Sequence, residues 1–384
     1  MDESFSLSPQ SRLLTPSTPG LPVLLEGLRS GASLRASQAT PEAPITLEPG
    51  DPPALYCETS GSSGAAKVIR RHPQSWQRSF AVNRDTFGVG AGDRYACFGH
   101  LGHSLTLYAV LEALHIGADI ATLVGQLPTR QASAVQRLEI TVLYATPSQL
   151  QLLLSGAEKA GIAALPSVRR VFSGGGKLDP ALRAAVARLC PAAELREFFG
   201  ASETSFITIS DTDTPPGSVG RAYPGVDLRI DGEDPGEIWV RSPYLFDGYA
   251  QGSSPQTRRD GAWLSIGEVG QLDAAGNLFL RGRLSRMVTV ADRNVFPDEI
   301  EQVILAHPDV TACAILPEAD PRRGHRLICF VQGSAAEADL RRNCRETLGP
   351  GAAPHRFTYL AALPLLPAGK PDLVALRALA EAGT

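Results

Sequence analysis

The chain has 384 residues, 43% hydrophobic and 20% charged, with 36 Lys and Arg against 40 Asp and Glu for a formal net charge of −4. Length and composition fit a globular protein with a large core and two or more domains. They argue against a nucleic-acid partner held by phosphate neutralisation, and no apolar stretch approaches the roughly 18 residues of a membrane span.

Residues 1 to about 50 are rich in Ser, Pro, Gly and Thr. They open "MDESFSLSPQ", which lacks the order of a secretion signal, and are expected to be loosely ordered around one short helix in "LPVLLEGL". "PALYC" reads as a strand and runs into "ETSGSSGAAK". Two glycines, several hydroxyls and a closing lysine suit an anion such as phosphate, although a Gly/Ser turn has the same composition. The spacing is not that of a Walker loop, because Val68 stands where the hydroxyl after the lysine belongs.

An alternation follows. "HSLTLYAVLEALHIG" has helical spacing and stops at Gly117, and "ADIATLV" is a strand. "ITVLYA" is a strand leading into a helix opened by Pro147. "VRRVFSGGG" is a strand and glycine loop, after which Asp179 and Pro180 start "DPALRAAVARLC". "ELREFFG" is a further strand. Strand, loop and helix in repetition predict a largely parallel sheet. Past residue 215, "VDLRIDG", "GEIWVRSP" and "NLFLRGR" predict a β-rich part with antiparallel pairing. From about 284, the helix "FPDEIEQVILAH", the strands "TACAILPEA" and "HRLICFVQG" and the helix "EADLRRNCRETLG" predict a small α+β domain. The six cysteines are scattered without a C-x-x-C pair, which predicts reduced thiols in a cytoplasmic protein.

Seven segments, in order between about 52 and 376, carry a resemblance: "TSGSSGAAK", "SGGGKL", "FGASE", "GEIWVRSPYLFDGY", "DGAWLSIGEVG", "GRLSRMVTVADRNVFPDEIE" and "LPLLPAGKPD". With these the chain resembles the adenylate-forming superfamily of acyl- and aryl-CoA synthetases, here with a shortened N-terminal region. The resemblance implies an α/β fold. A large N-terminal domain would hold mostly parallel sheets and a β-rich subdomain, followed by a small mobile α+β C-terminal domain. The expected divisions are 1–50 as a poorly structured or short segment, 51–282 as core and 283–384 as C-terminal domain.

The implied activity is ATP-dependent activation of an aryl or fatty acid as acyl-AMP, followed by transfer to a thiol. CoA leads as acceptor. Loading of a carrier-protein phosphopantetheine, or a catalytically reduced nucleotide-binding relative, is the alternative. By the resemblance Thr59, Ser60, Gly61, Ser62, Ser63, Gly64 and Lys67 hold the β- and γ-phosphates, and Glu203 binds Mg²⁺. Ser202 contacts the α-phosphate, and Gly200 belongs to the same nucleotide site. Gly174 and Gly175 border adenine and the acyl group, with His103 and Phe199 in the acyl pocket. Glu268 and Arg283 hold the ribose, Lys370 bridges ribose and α-phosphate, and Ser285 is the hinge. His100 and His103, three apart, show no third metal ligand, and His100 is read as a loop residue.

Several positions depart from the family pattern. Glu268 replaces the usual Asp, Arg286 replaces an acid beside the hinge, and Ala291-Asp292 replace a glycine pair near the pantetheine arm. A carboxylate there disfavours free CoA, whereas Arg286, Arg322 and Arg323 offer a docking face to an acidic carrier. The shortened N-terminal region implies apolar surface that a second subunit covers, hence a homodimer.

Overall fold

A computed structural model describes residues 4–59, 67–232, 235–291, 293–365 and 371–382. The chain forms two compact units. The first holds Met1–Arg229, Trp239–Leu264 and Leu272–Phe279; the second holds Ile230–Ile238, Ser265–Gln271 and Leu280–Thr384. The division near 280 lies close to the expected 282/283. Two short stretches of the expected core, 230–238 and 265–271, go with the second unit because they pair there, Gly236 with Gly270 and Glu237 with Val269.

The first unit is built on a seven-stranded sheet. Asp119–Thr122, Arg94–Cys97, Val142–Ala145, Arg170–Ser173 and Glu194–Ala201 run parallel, and Ser205–Ile209 and Arg221–Ala222 continue it antiparallel. Val142–Ala145 is buried at every position, as a strand covered on both faces must be. The helices start and stop as their punctuation directs. Thr146 and Gln149 form a reciprocal cap ahead of Pro147–Lys159, Asp179 accepts from the Leu182 N–H, and Gly117 closes Ser104–Ile116 at φ 87°. Leu143, Leu150, Leu153 and Val171 join one apolar core under these helices. Each such burial contributes roughly 1.5–3 kcal/mol.

A second sheet has the order Gly248–Gln251, Lys67–Arg71, Leu55–Thr59, Ser33–Ala36, Ile45–Glu48. Leu55–Thr59 and Lys67–Arg71 are an antiparallel hairpin whose last pair is Thr59 with Lys67. The Gly/Ser loop therefore joins two strands of a hairpin, not a strand to a helix.

The expectation of a loose N-terminal segment is corrected by the structure. The short helix is there, at Leu21–Ser30, but two strands of the second sheet follow it. Further back, Leu13 bridges Ile120, Arg12 ion-pairs with Asp119 at 2.7 Å, and Phe5 packs on Trp76 and Phe80. This order comes from tertiary partners that local composition does not show.

In the second unit, Arg293–Val295, Val288–Val290, Gly324–Gly333 and Val310–Asp320 form a sheet, with Arg356–Tyr359 parallel to Gly324–Gly333. Alternation along the long strands buries both faces. Cys313, Ile315, Leu327 and Cys329 pack with helices Pro297–Leu305 and Glu337–Leu348, while Leu316, Ile328 and Phe330 pack with Leu376 of helix Leu373–Ala382. All six cysteines are free and buried. No helix among the described residues is long and apolar enough to cross a membrane.

Candidate functional site

In the first unit the expected site residues gather at the end of the parallel sheet and at the hairpin. Strand Glu194–Ala201 carries Phe199 and Gly200, and the turn into Ser205–Ile209 carries Ser202 and Glu203. Glu203 is thus an acid in the turn between two antiparallel strands. Its position is over-determined. Its carbonyl accepts from the Phe246 N–H at 2.9 Å, and its carboxylate Oε1 accepts from the Tyr249 hydroxyl at 2.8 Å. Tyr249 in turn lies 2.9 Å from Thr257 Oγ1. The Ser202 hydroxyl is 3.2 Å from that of Ser104, where the helix following His103 begins.

Beneath this turn lies Arg71, fully buried. It donates to the Ser202 carbonyl at 2.6 Å, the Tyr244 carbonyl at 2.5 Å and Ser75 Oγ at 2.9 Å. Burial pulls its guanidinium down to about 10, so it stays charged at neutral pH. Burial, with Glu203 nearby, pushes Tyr249 up to about 12, so its hydroxyl keeps the proton it donates.

The glycines have identifiable jobs. A Cβ on Gly174 would overlap the Phe198 ring, and one on Gly200 would overlap the Ser205 carbonyl. Gly175 sits at φ 81°, where side chains are disfavoured. The loop after Gly174 is anchored by Glu197, which accepts from the Leu178 N–H at 3.0 Å and from Arg183 at 2.9 Å. Lys67 stands at the mouth of the hairpin, and Gly252, at φ 74°, leaves room for its stem. Ser60, Gly61, Ser62, Ser63 and Gly64 lie outside the described residues, as do Lys370 and Asp292.

His100 and His103 have rings 4.1 Å apart. Burial lowers both pKa values, and His100 lowers that of His103 further. No group of three His, Cys, Asp or Glu poised for a metal occurs among the described residues.

In the second unit Arg283 Nε donates to Glu268 Oε1 at 2.9 Å, so the two expected ribose residues are brought together. Ser285 is exposed in the turn after strand Leu278–Arg283. Its neighbour Arg286 is not the docking residue expected. It donates to Glu301 at 2.6 and 2.9 Å, to Asp298 at 2.9 Å and to the Ile315 carbonyl at 3.2 Å. Burial opposes its charge, yet Glu301 and Asp298 outweigh burial and hold the guanidinium above its ordinary value. An arginine engaged on all sides within its own domain presents no free charge to a partner.

Arg71, Tyr249, Thr257 and Glu197 were not singled out from sequence. Tyr249 belongs to the quoted stretch "GEIWVRSPYLFDGY", so the signal was on the page without its meaning. Arg71 follows Lys67 by four residues and reads as an ordinary strand cation.

The model of the AMP-binding enzyme family matches residues 11–250, and that of the AMP-binding enzyme C-terminal domain matches 299–370. The chain is 30% identical over 360 residues to an uncharacterized acyl-CoA ligase, YhfT, of Bacillus subtilis, spanning 91% of this chain and 72% of that one. It is 32% identical to the acyl-CoA ligase AKT1 of Alternaria alternata over 73% of this chain, but spans only about half, 52%, of that relative. Among solved structures, the amide bond synthetase McbA of Marinactinospora thermotolerans matches with a TM-score of 0.73 and 27% identity, over 85% of this chain and 68% of the other. The o-succinylbenzoate CoA synthetase of Bacillus subtilis matches in fold with a TM-score of 0.75 at 23% identity, over 84% and 68%. The chain belongs to the AMP-binding, adenylate-forming enzyme family, and its class is that of AMP-forming acid–thiol ligases.

Proposed function

We propose that this protein activates an aryl or fatty acid with ATP as an acyl-adenylate and transfers the acyl group to the thiol of CoA. The observation that carries the reading is Glu203. A carboxylate held by a neutral hydroxyl keeps its charge, and one oxygen, Oε2, has no protein donor among the described residues. That fits Mg²⁺, which is characteristically held by one or two carboxylates together with substrate phosphates. The solved o-succinylbenzoate synthetase, alike in fold, was captured with ATP and magnesium.

When bound, Mg²⁺ neutralises charge on the phosphate oxygens. Lys67 and Thr59, with the loop between them, hold the β- and γ-phosphates, and Ser202 meets the α-phosphate. Glu268 and Arg283 serve the ribose, and Lys370 the α-phosphate as charge develops there. Positioning matters most, because the acid carboxylate must attack phosphorus in line with departing pyrophosphate. Neutral His103 and Phe199 line the acyl side, where an imidazole without charge suits an apolar acid.

The test is ATP–pyrophosphate exchange across a panel of aryl, fatty and amino acids, followed by thioester assay with free CoA and with a phosphopantetheinylated carrier. Acid-dependent exchange and CoA thioester formation are expected. Exchange without transfer to CoA redirects the reading to a carrier, or to an amine acceptor as the likeness to an amide bond synthetase suggests. No exchange with any acid leaves a nucleotide-binding relative with reduced catalysis.

A further inference from the structure

We propose that Arg71 and Tyr249 are positioning residues for Glu203: one fixes the backbone that carries it and the other orients its carboxylate so that a single oxygen is offered to the cation accompanying ATP. The inference rests on the ligase reading and goes beyond it in naming what sets the metal ligand.

Burying a guanidinium completely is costly, and it persists where most of its donors find acceptors, which for Arg71 means the two terminal nitrogens and not Nε. Arg71 has acceptors on three elements: Ser75 in the first turn of helix Pro73–Phe87, Ser202 in the turn that bears Glu203, and Tyr244 in the segment leading to Gly248–Gln251. Its guanidinium also lies 5.3 Å from the centre of the Trp76 ring. It gives its bonds to two carbonyls and a hydroxyl and none to the Glu203 carboxylate. The cation therefore clamps the two segments that meet at Glu203 without neutralising the acid. The clamp is continued by Phe246 N–H on the Glu203 carbonyl and by Tyr249 on its side chain. Ser205, next but one after Glu203, sits at φ 56°, and Trp76 Nε1 donates to its hydroxyl at 2.9 Å. The turn is thus in a tight left-handed bend that outside contacts hold in place.

The consequence is specific. With Tyr249 on Oε1, Oε2 is left as the oxygen that would take a cation. Without that hydroxyl the carboxylate is free to rotate, and it loses the orienting partner that such ligands depend on.

The experiment is calorimetric titration of the full-length protein with ATP, once in EDTA and once in excess Mg²⁺, which reads cation-dependent tightening apart from turnover. Tyr249→Phe is expected to lose about tenfold of the Mg²⁺-dependent gain, the low end for partners that orient metal ligands, with affinity in EDTA unchanged. Arg71→Lys, which keeps the buried charge but bonds fewer carbonyls, is expected to lose part of the gain and Arg71→Met more. Thermal melts show which of these remain folded. Full Mg²⁺-dependent tightening in Tyr249→Phe and Arg71→Lys, with its loss in Glu203→Gln, overturns the positioning roles and leaves the ligase reading intact. Failure of the unaltered chain to bind ATP under either condition overturns that reading and this one with it.

Discussion

Two carboxylates, one in each unit, are held by different chemistry. Glu203 has a neutral phenol on one oxygen, while the buried cation near it, Arg71, gives its bonds to the Ser202 and Tyr244 carbonyls and the Ser75 hydroxyl and none to the carboxylate. Glu268 is held by Arg283, so the pair is nearly neutral. The contrast teaches that a carboxylate's partner, more than its burial, fixes its use. A charged acid with one open oxygen suits a hard dication, and an acid–guanidinium pair suits hydroxyl groups that need both a donor and an acceptor.

The sharpest way to break this comparison is to neutralise the two acids in turn. Glu203→Gln is expected to lower pyrophosphate exchange by roughly 10²- to 10³-fold, as loss of one preorganised electrostatic group does, and to raise the Mg²⁺ requirement. Glu268→Gln is expected to leave the Mg²⁺ titration unmoved. If both variants shift that titration alike, the two acids do the same work and the distinction fails.

The second unit's other arginine offers a different test. Arg286 is the shared partner of Glu301 and Asp298, and Glu301 also accepts from the Ile315 N–H at 2.7 Å. Removing one member of such a partly buried cluster strands the acids. Arg286→Ala is expected to cost about 3 kcal/mol of stability, read as an early transition in denaturant melts of the whole chain. An unchanged melt would mean that solvent already satisfies those acids. A carrier-docking role, by contrast, predicts a loss of acyl transfer with no change in stability.

The first unit also holds an acid of a third kind. Glu112 is fully buried on helix Ser104–Ile116, with donors from Asn83, Tyr95, Tyr108 and Tyr144 at 2.6 to 3.5 Å. Burial raises its pKa to about 7 against the pull of those four donors. A carboxyl whose folded pKa is raised binds its proton more tightly when folded. It therefore favours folding below its unfolded value near 4.5 and loses that contribution as pH rises through about 7. The loss amounts to about 3 kcal/mol. Glu112→Gln is expected to remove that slope, seen as a difference between the two proteins in chemical denaturation from pH 5 to pH 8 (about the range the linkage spans). Parallel curves would place the proton elsewhere.

What the sequence showed, and what it hid, divides along the same lines. The strands of the parallel sheet were legible from their apolar runs and turn signals, and the cap at Asp179 and the stop at Gly117 were legible because each depends on neighbours a few residues away. Glu203 was singled out by its motif. The residues that hold it were not, since Arg71 bonds residues more than 100 positions away. Glu112 looked like one polar residue in an apolar helix, and its partners arrive from three other elements. Residues 4–15 were misread for the same reason, their order being supplied by the sheet at Asp119 and Ile120. The placement of Arg286 beside Ser285 was visible, but its engagement by Glu301 was not.

The smallest expected effect lies at Arg283. Its side chain is 44% exposed, so its pairing with Glu268 is screened and contributes modestly. If the pair serves the ribose, Arg283→Ala removes a donor and weakens the compensation of the Glu268 charge near a polyanionic nucleotide. The expected result is a rise of about fivefold in the KM for ATP, roughly 1 kcal/mol, with kcat little changed. Arg283→Lys should recover part of it, because the charge is restored while the planar fork is not. The Mg²⁺ requirement is the discriminating readout. Should it fall in Arg283→Ala, loss of the arginine has let Glu268 take on a cation, a use closer to that of Glu203. That result would strengthen the rule that the partner decides the role. An unchanged KM would instead show that the pair is a surface contact with no part in holding the nucleotide.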